Sequence, residues 1–124
     1  FGGCGLTSTV KDYAKFVQMV LNKGRFNGNQ IIGKKTAETM LTGQGYLSWG
    51  SEVSLGFSLM KDDLYSTGIG GSKGTFSTGG YWNTSAFADP VENIIGIIYK
   101  QTYDIGNDPT SAAYRRLVFQ SIIE

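Results

Sequence analysis

Two stretches place a serine three residues ahead of a lysine: Ser8-Thr9-Val10-Lys11 and Ser58-Leu59-Met60-Lys61. On a helix that spacing brings both side chains to one face, where the amine can take the hydroxyl proton and turn the serine into a nucleophile. The chain contains no His, which excludes Ser-His-Asp and Cys-His triads, His-ligated zinc and an imidazole switch. Serine activated by Lys, or by Lys and Tyr, is the hydrolytic nucleophile chemistry left open. Both stretches nevertheless have plainer explanations. The first is a helix-capping segment with an exposed lysine, and the second lies in a strand, where positions i and i+3 face opposite sides.

Other candidates yield to similar arguments. Gly70-Gly71-Ser72-Lys73-Gly74 has the glycine content of a phosphate loop, but no Gly-Lys-Ser/Thr follows and no helix pattern starts there to supply a dipole. Asp62-Asp63, and Asp104 with Asp108, lack the spacing of a calcium loop; turn and cap roles account for them. Asn83-Thr84-Ser85 matches a glycosylation acceptor, yet it sits in a predicted strand. The single Cys4 cannot form an internal disulfide, and its neighbours suit a small buried residue better than a reactive thiol.

The elements that would hold such groups are marked by periodicity. Val10, Tyr13, Ala14, Val17, Val20 and Leu21 repeat at helical spacing, with Ser8 or Thr9 as cap, Asp12 in the first turn, and Lys23 and Gly24 at the end. Asn27-Gly28 between Arg25-Phe26 and Gln30-Ile31-Ile32 predicts a tight hairpin. A shorter helix is expected over Lys34 to Leu41. The glycine-rich middle should be loops around short strands, among them one in which Leu55, Phe57 and Leu59 alternate inward. Asn83 to Ala88 and Ile94 to Tyr99, broken at Asp89-Pro90, predict an antiparallel pair, the second strand being central or covered by helices. Asp108-Pro109 opens a last helix with Ala113, Tyr114, Leu117, Val118 and Ile122 inward. The sum is an α+β arrangement: an antiparallel sheet with a C-terminal helix packed on it, plus an N-terminal helical segment.

At 124 residues, 40% of them hydrophobic, the chain can bury one core, and its +1 formal charge argues against nucleic acid as a partner. It starts at Phe1 without a charged-then-apolar leader, and no apolar run approaches the ~18 residues of a membrane span. The expectation is a soluble piece of something longer.

Two segments carry a family resemblance. Gly2-Gly3-Cys4-Gly5-Leu6-Thr7-Ser8-Thr9-Val10-Lys11-Asp12-Tyr13-Ala14-Lys15-Phe16 looks like a glycine-rich entry into a late helix of a helical lobe, continuing through Asn27-Gly28 and Ile31-Ile32 to Met40. Gly71-Ser72-Lys73-Gly74-Thr75-Phe76-Ser77-Thr78-Gly79-Gly80, then Phe87-Ala88-Asp89-Pro90 and Gly96-Ile97, looks like an active-site strand, its hairpin and the next strand. Together they resemble the C-terminal third of the serine β-lactamase and penicillin-binding protein superfamily, particularly its class C and esterase-like branch. The resemblance implies a partial β-lactamase-like (DD-peptidase) fold, with residues 1–50 a helical-lobe segment and 51–124 a sheet-and-helix segment.

It also implies roles. The family's nucleophile Ser-x-x-Lys and its Tyr-x-Asn lie upstream of the matching region, so Tyr81-Trp82-Asn83 is not that motif, and this chain alone should be inactive. What remains is the third element, a Lys-Thr-Gly, His-Thr-Gly or Trp-Gly-Gly triplet. Thr78-Gly79-Gly80 occupies it in the gapless register, and a one-residue insertion would put Lys73 at the basic position instead. Thr78 stands where a large or basic residue is usual, so the group that meets a substrate carboxylate is missing. Tyr81 would offer the backbone N–H for half of an oxyanion hole. The implied partners are a small amide or ester substrate in a full-length parent, and the missing N-terminal part or another copy of the chain. No metal or cofactor is implied; the sequence leaves the compartment open, and the family alone suggests an extracytoplasmic (periplasmic or secreted) one. The competing expectation is a non-catalytic binding or assembly module using exposed aromatics such as Trp49, Tyr81 and Trp82.

Overall fold

The structure, a computed structural model, describes residues 5–46, 52–62, 70–103 and 108–123. Cys4, Trp49, Asp63 and Asp104 lie outside the described residues, as does the start of the glycine-rich N-terminal segment.

Helix α1 (Val10–Leu21) starts where a cap is available: the Asp12 amide donates to Thr9 Oγ1 at 3.1 Å, and the Thr9 hydroxyl donates to the Asp12 carboxylate at 3.0 Å. Thr9 rather than Ser8 is thus the cap. The helix ends in a Schellman motif, with the Gly24 amide reaching Met19 O at 2.8 Å and the Lys23 amide reaching Val20 O at 3.0 Å. Lys23 takes the left-handed conformation at the position just past the cap (φ 55°), and Gly24 after it also has positive φ (86°). Gly24 is required for another reason: a Cβ there would lie 2.3 Å from Ile32 O, where the following hairpin returns. That hairpin pairs β1 (Arg25–Phe26) with β2 (Asn29–Gln30) across Asn27 (φ 48°) and Gly28 (φ 79°), the two positive φ values of a type I′ turn. Helix α2 (Lys34–Met40) follows, burying Ala37.

The rest is a six-stranded antiparallel sheet in sequential order: β3 (Gly45–Tyr46), β4 (Glu52–Val53), β5 (Ser58–Leu59), β6 (Phe76–Gly79), β7 (Ser85–Asp89) and β8 (Ile94–Ile98). Helix α3 (Thr110–Gln120) closes the chain. Alternation along β7 sorts the two faces. Ala88, paired with Phe76, joins a core with Val17, Met19, Val20 and Phe57 under α1. Phe87 points the other way, stacking on Phe119 of α3 at 5.4 Å between ring centroids. Its cross-strand partner is Gly96, where a Cβ would come within 2.3 Å of the Phe87 ring, so the missing side chain is what admits the ring. The molecule is α+β, as expected, with helices on both faces of one sheet. No helix among the described residues is long and apolar enough to cross a membrane.

Two expectations need correction. The Leu55-Phe57-Leu59 alternation is not one strand: the Ser54 amide bonds Phe57 O at 2.8 Å and Gly56 takes φ 94°, so the segment is the turn between β4 and β5, with Leu55 exposed. Strand β8, by contrast, meets the second of its two expected settings: among the described residues it pairs only with β7, and its apolar faces are covered by α1 and α3. In α3, Leu117 is 64% exposed while Phe119 is buried, because the sheet calls for the side of the helix that sets Tyr114 and Phe119 against Phe87.

One buried carboxylate fastens the sheet's loops. Asp89 is fully buried; its Oδ2 accepts from the Ser72 amide at 2.7 Å and the Thr75 hydroxyl at 2.8 Å, and its Oδ1 from the amides of Val91 at 2.8 Å and Glu92 at 3.1 Å. Burial alone would raise its pKa, but the hydrogen bonds from Ser72, Glu92, Thr75 and Val91 outweigh it and hold the carboxyl below its usual range. The loop at Gly70–Gly74 therefore spends the Ser72 amide, which a phosphate would need, on Asp89.

Candidate active-site edge

Strand β6 has two unlike sides. Toward β7 its whole length is paired, Phe76 to Ala88 through Gly79 to Ser85. Toward β5 the ladder covers only Phe76 and Ser77, so Thr78 and Gly79 have a strand partner on one side alone among the described residues. A locally unpaired stretch within a sheet offers N–H and C=O groups to another chain or to a substrate.

Thr78 shares a face with Phe76 and therefore looks toward α1. There it lines a pocket of about 160 Å³ with Tyr13, Gly79, Thr84, Ser85, Ala86 and Tyr99. The rings of Tyr13 and Tyr99 lie 6.4 Å apart. Burial, with Tyr99 beside it, pushes the Tyr13 phenol up from its usual pKa, while hydrogen bonding from Thr78 pulls the other way. Gly79 and Gly80 are exposed and neither has positive φ; a Cβ on Gly80 would meet Thr84 Oγ1 at 2.5 Å. Their smallness therefore serves close approach rather than a left-handed bend.

Beyond Gly80 the chain turns through Tyr81, Trp82 and Asn83 (φ 65°), closed by the Gly80 amide on Thr84 O at 3.0 Å and the Asn83 amide on Gly80 O at 2.9 Å. A charged anchor holds this turn. Asn83 Nδ2 and Lys100 Nζ donate to Asp108 Oδ2 at 2.7 and 2.8 Å, and the Thr110 amide donates to Asp108 Oδ1 at 2.9 Å. Lys100, then Thr110, hold the Asp108 carboxyl far below the ordinary carboxylate range. Pro109 rather than Asp108 is the N-cap of α3, and Asp108, one residue ahead of it, accepts the Thr110 amide and ties the helix start to the β6–β7 turn. With its amide so engaged, Asn83 is a poor glycosylation acceptor. Above the turn, Tyr81, Trp82 and Tyr103 form an exposed aromatic cluster with centroids 5.4–6.2 Å apart.

The structure brings Thr78, Gly79, Gly80 and Tyr81 together at one end of β6. It does not bring Lys73 to them. Lys73 precedes the strand and borders a separate pocket of about 470 Å³ near Glu52, Lys61 and Asp62. Neither Ser-x-x-Lys spacing makes a pair: Ser8 donates to Thr9 O at 3.3 Å, and Lys61 bonds the Tyr46 hydroxyl, lying over that ring at 3.9 Å. Sequence reasoning missed Tyr13 and Tyr99 as neighbours of Thr78. The available signal was a phenol inside an otherwise apolar helical stripe.

Comparison with known proteins fits this architecture. The family model described as Beta-lactamase matches residues 2–120. No curated protein matches. Among solved structures, a penicillin-binding protein homolog from Caulobacter crescentus superposes with a TM-score of 0.68 at 18% identity, over 86% of this chain and 30% of that one. The chain thus spans about 30% of that structure's length. With a family match over nearly its whole length and the sheet-and-helix fold of a penicillin-binding protein homolog, the chain belongs to the β-lactamase family and has a serine hydrolase-like scaffold.

Proposed function

We propose that this chain is the C-terminal segment of a serine hydrolase similar to β-lactamases, penicillin-binding carboxypeptidases and esterases, with residues 1–50 contributing to the helical lobe, apart from strand β3 (Gly45–Tyr46), which joins the sheet of 51–124. In the parent, a serine activated by Lys and Tyr and supplied from outside this chain attacks an amide or ester carbonyl. It forms an acyl-enzyme that water then cleaves. The chain contributes the strand along which the substrate lies, through Thr78, Gly79 and Gly80, and the Tyr81 N–H as half of the oxyanion hole. Lys73 serves the basic position only if the strand register shifts, and its place before β6 favours the register with Thr78. The observation that carries the reading is the flank of β6 at Thr78 and Gly79, which has no strand partner among the described residues, within a chain of this family. Assays of this chain with a chromogenic cephalosporin and a p-nitrophenyl ester should show no turnover, and the full natural protein should hydrolyse at least one. Turnover by this chain alone, abolished by Ser8→Ala, would overturn the assignment of the nucleophile elsewhere.

The exposed Tyr81, Trp82 and Tyr103 cluster favours a second reading, a binding or assembly surface on the same scaffold. Light scattering separates the two: self-association that disappears in Trp82→Ala supports assembly, and a monomer unaffected by that change opposes it.

A further inference from the structure

The geometry points to a subsite between β6 and α1 that accepts an uncharged, hydrogen-bonding part of the substrate, such as an amide, ester or hydroxyl group, and disfavours a carboxylate. This rests on the hydrolase reading above and deepens it. All 11 Lys and Arg residues of the sequence lie within the described residues. None of them lines the pocket bounded by Tyr13, Thr78, Gly79, Thr84, Ser85 and Tyr99, and among the described residues no Asp or Glu does. Cations elsewhere are committed: Lys100 to Asp108, Lys15 to Asp12, Lys35 to Glu38. Arg115 lies on the opposite face of the sheet, its guanidinium 5.4 Å from the Phe87 ring centroid.

A carboxylate leaving water for this pocket would meet no compensating charge from this chain, and an unpaired buried ion is far costlier than a buried neutral dipole that finds a partner. Neutral partners are plentiful. Five lining residues carry hydroxyls, each able to donate and accept. The Tyr13 phenol, protonated at neutral pH as any ordinary tyrosine is and pushed further that way by burial, can donate. At about 160 Å³ the space is below the ~300 Å³ at which whole small-molecule sites begin, so it takes one group of a larger substrate. Thr78 and Tyr13 are then specificity-determining residues.

The test uses the full natural protein containing this chain and two 4-nitrophenyl esters of equal length, of adipamic acid and of adipic acid, which differ in a terminal amide against a carboxylate. The expected result is a kcat/KM at least about tenfold higher for the amide-terminated ester, narrowing by about fivefold or more in Thr78→Lys, which supplies the missing cation. Equal turnover of both esters, or preference for the carboxylate, would overturn the subsite while leaving the hydrolase reading intact. So would a Thr78→Lys protein that folds, by circular dichroism, and keeps the original ratio. Failure to hydrolyse either ester, with no acyl adduct by intact mass spectrometry, would instead overturn the hydrolase reading and the subsite with it.

Discussion

The two ends of strand β6 are built to opposite specifications. At its start, the loop through Ser72 and Thr75 is clamped onto the buried Asp89. At its finish, Thr78, Gly79 and Gly80 run beside a flank with no strand partner and a pocket with no charged lining among the described residues. The first end spends its polar groups internally, and the second leaves them available. A strand held firmly at one end can present the other without the ligand having to organise it, which lowers the ordering cost of binding.

The contrast can be broken most severely at Asp89. Asp89→Ala leaves the buried Ser72 amide without its Asp89 acceptor, at about 1–3 kcal/mol, whereas the Thr75 hydroxyl keeps Ser72 O as an acceptor at 2.7 Å, so urea unfolding of the natural protein should show a loss of about 1–3 kcal/mol. The pH dependence follows the same group. Because its folded pKa lies below its unfolded one, its stabilisation is complete above the ordinary carboxylate range and is lost as pH falls through that range toward the folded value. The wild-type protein should therefore lose stability on acidification more steeply than Asp89→Asn.

A pair of glycine substitutions sharpens the comparison. Gly71→Ala meets both a φ of 123° and Arg115 Nη2 at 2.8 Å, and should cost about 1–3 kcal/mol. Gly79→Ala has ordinary φ and only Thr84 O at 3.3 Å, so its cost in stability should stay below about 1 kcal/mol, while kcat/KM of the parent falls as the strand is crowded. Similar losses of stability at both positions would erase the distinction. Smallest of all, Trp82→Ala in the exposed cluster should move stability by about 0.5 kcal/mol or less.

What was legible in the sequence was local. Thr9 and Asp12 announce the start of α1, Asn27-Gly28 the hairpin, and Asp108-Pro109 the opening of α3, because each signal and its structural consequence lie within four residues. The Leu55-Phe57-Leu59 alternation misled because Gly56, in positive φ, turns the chain inside the apparent strand. The family triplet pointed to Thr78-Gly79-Gly80, but not to Tyr13 or Tyr99, which reach Thr78 only when α1 and β8 pack beside it. Nor does any local pattern distinguish Asp89 from an ordinary turn aspartate. Its partners Ser72 and Thr75 lie 17 and 14 residues away.

The fit of the Phe87 ring over Gly96 also acts as an alignment key. Sliding β8 by two residues would preserve which face each side chain occupies, yet it would bring Ile94 or Ile98 beneath the ring, where a branched side chain already claims the space. A single missing methyl thus makes one of the pairings between these two apolar strands far better than its neighbours. The position of Thr78 is measured from that pairing, since β6 takes its own alignment from β7.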